Sequence, residues 1–219
     1  MQTHYRDRTA AGAALADRLE KYAGQPNLTV LGLVRGGVPV AAVVADRLGA
    51  PLDVLVVRKI GVPWAPEVAF GALGPGGVVV LNPDISTRLT EEEMAAVRRR
   101  ESDELARREQ RYRAGLPPLN LAGHTAIVVD DGLATGATAR AAVAVARQLG
   151  ATRVVLAVPV GSADAVAVLR TAVDELVCPL VPPGFGAVSR FYDEFDQVPD
   201  ATVVALLDSA GRPDAPADR

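Results

Sequence analysis

The sequence predicts an α/β fold: a doubly wound, mostly parallel sheet with flanking helices and a small C-terminal hood. Short, nearly uninterrupted apolar runs, such as 28–33 and 127–129, read as strands buried on both faces, and they alternate with stretches that carry apolar residues at helical spacing. Two of these runs empty into small-residue loops that lead straight into helices, a junction that α/β sheets place at the carboxyl ends of their strands. With 219 residues, 49% of them hydrophobic, the chain can bury one substantial core, so a single domain over 1–219 is expected with its core at about 28–180.

In chain order, residues 5–22 form an amphipathic helix with Ala11, Ala14, Leu15 and Leu19 on one face, which reads as packing. The strand 28–33 runs into Val34-Arg35-Gly36-Gly37, and 38–48 is a helix beginning around Pro39. The strand 52–57 is followed at once by Arg58 and Lys59. Three prolines, five glycines and Trp64 fall within 60–77, and such a composition predicts a mobile loop at about 58–77. A short strand at 78–81 and a turn at Asn82-Pro83-Asp84 come next. Thr90 with Glu93 offers a capping box for a long helix, whose alternating charges through Arg113 read as a solvated, ion-paired face. After the central loop, helix 139–149, strand 153–158, helix 163–172 and strand 175–180 continue the alternation. The hood, about 181–197, holds three of the four phenylalanines, so it is either a stacking wall for a planar ligand or a lid on the core. A packing helix at 201–207 and a frayed tail from Gly211 end the chain.

The chemistry concentrates in Ile127 to Arg140, IVVDDGLATGATAR. Gly132 and Gly136 allow backbone angles closed to other residues, so successive N–H groups can converge on an anion at the positive end of the following helix. Thr135 and Thr138 can add hydroxyl donors. Asp130 and Asp131, at the strand's carboxyl end, can accept from two vicinal hydroxyls or hold Mg²⁺ through water. Phosphate, diol and metal together point to a phosphorylated sugar. Helix capping alone requires one such residue, whereas two acids, two glycines and two threonines fall within nine positions. No GK[ST] follows, which excludes a Walker loop.

The same residues resemble the signature of the type I phosphoribosyltransferases: apolar residues, two acids, two variable positions, then Ala or Asp, Thr-Gly, one residue and Thr. The blocks around RGG, RKIGVPWAPE and VDDGLATGAT are similar to those of a bacterial subgroup whose substrate the resemblance does not fix. The resemblance covers most of 28–195. It implies a Mg²⁺-dependent transfer from phosphoribosyl pyrophosphate to an acceptor, a nucleobase or related planar compound, with release of pyrophosphate. Residues Gly132, Leu133, Ala134, Thr135, Gly136, Ala137 and Thr138 would hold the 5′-phosphate, and Asp130 and Asp131 the ribose and metal. Arg35, Gly36 and Gly37 would hold pyrophosphate, although a plain strand-to-helix turn would also use two glycines. Arg58 and Lys59 would lie on a loop that closes over the site, Lys59 acting on the leaving group, although both also fit a solvated strand end. Val181, Phe191 and Tyr192 are the acceptor-binding candidates. Ala134 looks like adenine-type enzymes, in contrast to the Asp of hypoxanthine-guanine types. A sensor that binds the ligand without turnover is the alternative, and hydrolysis of a sugar phosphate is a third reading whose activated water the motifs do not specify.

A formal charge of −3 and a pI near 5.5 argue against nucleic-acid binding. The single cysteine, Cys178, gives no disulfide framework. His4 and His124 are too far apart in sequence to suggest a metal site. No apolar run approaches a membrane span and the first residues lack a signal-peptide core, so a cytoplasmic protein is expected, either alone or as a homodimer.

Overall fold

In the computed structural model, residues 3–210 are described, and eight strands and seven α-helices are found among them. Strands β1 (Leu28–Leu33), β2 (Leu52–Leu55), β6 (Thr125–Val129), β7 (Arg153–Ala157) and β8 (Glu175–Val177) make one parallel sheet in the order β2-β1-β6-β7-β8. Alternate residues of each strand serve opposite faces, as the period of two requires. Leu28, Val30, Ile127 and Val129 face α1 (Arg8–Leu19), α2 (Gly37–Leu48) and α7 (Asp200–Ser209), while Leu31, Leu33, Ala126 and Val128 face α5 (Ala137–Gln148) and α6 (Ala163–Arg170). The expected doubly wound, mostly parallel sheet with helices on both faces is therefore present.

The chain winds outward from the middle in both directions, β1 to β2 one way and β6 through β7 to β8 the other, so the switch point lies between β1 and β6. Right-handed crossovers then put α2 and α5 on opposite faces, with both helix N-termini at the same crevice.

The segment expected as a mobile loop is instead regular. β3 (Arg58–Val62) and β4 (Ala65–Gly74) pair antiparallel, and β5 (Val78–Leu81) completes a second, three-stranded sheet. Its glycines serve close approach: a Cβ on Gly71 would meet Val80 O at 2.4 Å, and one on Gly74 would meet Val145 of α5 at 2.2 Å. Phe70, Ile60 and Leu73 are fully buried beneath it. Trp64 stands exposed at the hairpin tip.

The long helix α4 (Glu91–Arg113) starts at Thr90 with the expected capping box. Its last residue, Arg113, makes a bidentate pair with Asp53 of β2, Nε and Nη2 each 2.9 Å from a carboxylate oxygen, and both side chains are buried. The turn at Asn82 begins a one-turn helix, α3 (Pro83–Ser86), capped by the Asn82 side chain. The hood segment has no strand, only a 3₁₀ turn at Val188–Phe191. The tail from Gly211 lies outside the described residues.

Candidate active site

The two glycine loops meet at the switch point. The loop after β1 presents Arg35 and Gly36 and enters α2 at Gly37; the Val34–Arg35 peptide is cis. The loop after β6 presents Asp130 and Asp131 and enters α5 through Gly136. A Cβ on Gly37 would lie 2.5 Å from Val129 O and 2.9 Å from Asp130 Cα, and one on Gly36 only 2.0 Å from Asp131 Oδ2. Only hydrogen in both positions lets the first loop rest on the two acids. The residues Asp130, Asp131, Arg35, Gly36 and Gly37 are thus brought together as the sequence suggested.

The acids sit in a poor dielectric. Burial pushes the Asp130 carboxyl well above the ordinary carboxylate range, and the neighbouring Asp131 pushes it further. Asp130 Oδ1 accepts from the Asp131 N–H at 2.9 Å. Burial also raises Asp131, against the opposing pull of Arg8, whose Nε and Nη2 donate to Asp131 Oδ2 at 3.0 and 2.9 Å. Asp131 Oδ1 has no side-chain donor, and the close pair of carboxyls has unused capacity for hydroxyl donors.

The phosphate-type loop has the conformation its sequence demands. Gly136 has φ of +74°, the left-handed region that favours glycine, and a Cβ there would meet Leu169 Cδ1 at 2.8 Å. Leu133 anchors the loop by donating to Val160 O at 2.9 Å and accepting from Ser162 N at 2.9 Å, while Ser162 Oγ donates to Ala134 O at 2.7 Å. A Cβ on Gly132 would strike Val188 Cγ1 at 2.4 Å, so the hood segment packs on this loop. Ala134, Thr135 and Thr138 are exposed or partly exposed. Among the described residues the N–H groups of Gly136, Thr138 and Ala139 have no protein acceptor, and Ala137 N reaches only Thr135 Oγ1 at 3.4 Å. Orphan donors at the positive end of a twelve-residue helix make a site suited to a phosphate.

A cavity of about 550 Å³ opens onto Asp131, lined by Arg8, Arg35, Gly36, Asp131, Val188, Phe195, Gln197 and Val198. Arg35 is steadied by Asp200 at 3.7 Å, and Asp200 in turn accepts from Tyr112 Oη at 2.6 Å and pairs with Arg111. None of the three acceptor-binding candidates lines this cavity. Tyr192 is buried between Tyr5 and Phe195, with ring centroids at 5.7 and 4.9 Å, and its hydroxyl donates to Asp131 O at 2.7 Å, so it supports the acid loop and has no face for an acceptor. Phe191 stacks on Phe185 at 5.5 Å, and Val181 does not line the cavity. Arg58 is paired with Glu101 of α4, and with the exposed Lys59 it lines a separate groove of about 750 Å³ between the hairpin and α4.

Sequence reasoning assigned Arg8 to a packing helix; of the cavity wall, Val188, Phe195 and Gln197 lie in the expected hood, though none was singled out, and Val198 falls just beyond it. Among the described residues no group of three or more His, Cys, Asp or Glu side chains gathers as a metal site, and no helix is long and apolar enough to cross a membrane.

No family model matches the chain. Two Mycobacterium tuberculosis proteins, from strains CDC 1551 and H37Rv, each named “Putative phosphoribosyl transferase”, are 53% identical to it over 208 residues, 94% of the chain. The chain spans about half the length of these curated relatives, 47%. A solved structure, TT1426 from Thermus thermophilus, is 45% identical and superposes with a TM-score of 0.87 over 93% of this chain and 97% of its own. With its acid-and-glycine motif at the switch point of a doubly wound sheet, the chain belongs to the type I phosphoribosyltransferase family.

Proposed function

We propose that the chain transfers a phosphoribosyl group from phosphoribosyl pyrophosphate to a small-molecule acceptor and releases pyrophosphate. The observation that carries this reading is the meeting of two glycine loops over Asp130 and Asp131: one offers orphan N–H groups for a 5′-phosphate, the other offers Arg35 beside the acids for pyrophosphate. The ribose lies between them, its hydroxyls donating to Asp130 and Asp131. The acceptor enters along Val188, Phe195, Gln197 and Val198, and the apolar groups among them keep water from the reacting carbon.

Substitution at an anomeric carbon passes through an oxocarbenium-like state, so the protein has to position the reactants and stabilise the departing charge, with little acid–base work. Asp130 and Asp131 stand where they steady positive charge on the sugar. Arg35 and the loop around it face the negative leaving group. Two carboxylates, one already engaged by Arg8, do not make an all-protein metal cage. They fit Mg²⁺ that arrives on the phosphates and keeps most of its waters, with Asp130 and Asp131 as outer ligands. Bound in that way, the ion would neutralise pyrophosphate charge. No observation favours the sensor reading.

The test is incubation with Mg²⁺, phosphoribosyl pyrophosphate and a panel of nucleobases and planar aromatic acids while pyrophosphate release is followed. Acceptor-dependent release supports transfer; tight binding without release for every acceptor returns the sensor reading.

A further inference from the structure

We propose that Arg8 is a positioning residue for ribose recognition: from the N-terminal helix it pins one oxygen of Asp131 and presents the other to a vicinal hydroxyl. The inference rests on the reading of Asp130 and Asp131 as the diol site. Both contacts from Arg8, Nε at 3.0 Å and Nη2 at 2.9 Å, go to the same atom, Oδ2, and leave Oδ1 without a side-chain donor. Gly36 closes the opposite side of Oδ2, where even a methyl group would overlap. The carboxylate is therefore held between a guanidinium and a backbone, and it belongs to a residue that lines the same cavity as Arg8 and Gly36.

Arg8 is itself fixed at three points. Its Nη1 donates to Asp196 O at 2.8 Å, and its guanidinium lies 4.0 Å over the Phe195 ring. Its backbone belongs to the first turn of α1, capped by Asp7, whose carboxylate accepts from Ala10 N at 2.7 Å. The segment leading into that turn runs beside the hood: Tyr5 N donates to Phe191 O at 2.9 Å, Asp193 N to Tyr5 O at 3.0 Å, and Glu194 N to Arg6 O at 2.9 Å. A residue 123 positions away from Asp131 is thus carried to it by a backbone ladder. Its side chain is only 12% exposed and its charge is already answered by Asp131, which makes it an orienting group and a poor landing site for a free anion.

The experiment compares wild type, Arg8→Ala and Arg8→Lys for binding of ribose 5-phosphate, 2-deoxyribose 5-phosphate and inorganic phosphate by calorimetry, with circular dichroism to check folding. Wild type should prefer ribose 5-phosphate over its 2-deoxy form by roughly tenfold or more, the worth of a hydrogen bond to a charged group. Arg8→Ala should lose most of that preference and keep its affinity for inorganic phosphate. Arg8→Lys should regain part of it. If Arg8→Ala fails to fold, Phe195→Leu replaces it, since it loosens the guanidinium without removing its charge and should give an intermediate preference. A wild-type preference surviving in whichever variant folds overturns the proposal. So does loss of phosphate affinity equal to the loss for the sugars, which would make Arg8 an anion ligand. A wild type without any preference refutes the diol site itself and takes this inference with it, a failure distinct from a preference that ignores Arg8.

Discussion

Gly36→Ala isolates the meeting of the two loops. Gly36 has φ of −60° and ψ of −32°, angles that suit alanine, so the substitution brings no backbone penalty and acts only through space. The new methyl would lie 2.0 Å from Asp131 Oδ2 and 2.7 Å from its Cγ, so the carboxylate must retreat by roughly 1.4 Å to reach ordinary contact. That displacement breaks the geometry of the 2.9 and 3.0 Å contacts with Arg8 and turns Oδ1 away from its position. Loss of one hydrogen bond to a charged group costs on the order of 1.5–3 kcal/mol, or roughly 10- to 150-fold in affinity. Calorimetric titration with phosphoribosyl pyrophosphate and Mg²⁺ reads that loss, and urea unfolding of the same variant should show a much smaller change, about 1 kcal/mol. An affinity within twofold of wild type refutes the claim that Asp131 must stand where it does.

Arg113→Ala leaves the buried Asp53 unpaired and should lower stability by about 3–5 kcal/mol, whereas Arg113→Met with Asp53→Leu should be far milder; equal losses in urea titrations would contradict a desolvated ion pair. Gly136→Val forces a branched side chain into φ of +74° beside Leu169, so stability should fall by about 1–3 kcal/mol and the bound anion should disappear. A wild-type crystal grown in sulfate should show that anion about 2.7–3.2 Å from the N–H groups of 134–138; an anion found only at Arg35 to Gly37 would exchange the roles of the loops. Burial and Asp131 keep Asp130 protonated above the ordinary carboxylate range, so the folded chain there binds more protons than the unfolded one and stability declines as pH rises through that window. Asp130→Asn cannot titrate, so its Tm advantage over wild type should grow with pH and vanish in acid; an advantage that shrinks as pH rises has the wrong sign.

The fold was legible because its strands are buried on both faces and its helices keep their spacing. Ile127 to Val129 could hardly be anything but a central strand, and Thr90 with Glu93 marked the start of α4 within one residue. The acid-and-glycine loop was legible for the same reason: its donors, acids and glycines are neighbours in sequence. What failed was whatever depends on distant contact. Arg8 meets Asp131 only through pairing of the N-terminal segment with the hood, and no local pattern distinguishes it from Arg6, which pairs with Asp7 at the surface. The second sheet was hidden because its glycines and prolines read as signs of a loop, whereas Gly71 and Gly74 let β4 lie against Val80 and α5. For the aromatic hood the sequence left a ligand-stacking wall and a lid on the core both open, because only contacts with the distant Tyr5 show that Tyr5, Tyr192 and Phe195 pack on one another, with the Tyr192 hydroxyl on the acid loop.

The central claim is that Asp130 and Asp131 hold the ribose of phosphoribosyl pyrophosphate between the two glycine loops. It is tested most directly by calorimetric titration of the double variant Asp130→Asn, Asp131→Asn with phosphoribosyl pyrophosphate and Mg²⁺, after circular dichroism has shown the variant folded. The account predicts that Mg²⁺-dependent binding is lost while inorganic phosphate still binds at 134–138. An affinity for phosphoribosyl pyrophosphate equal to that of wild type would contradict it.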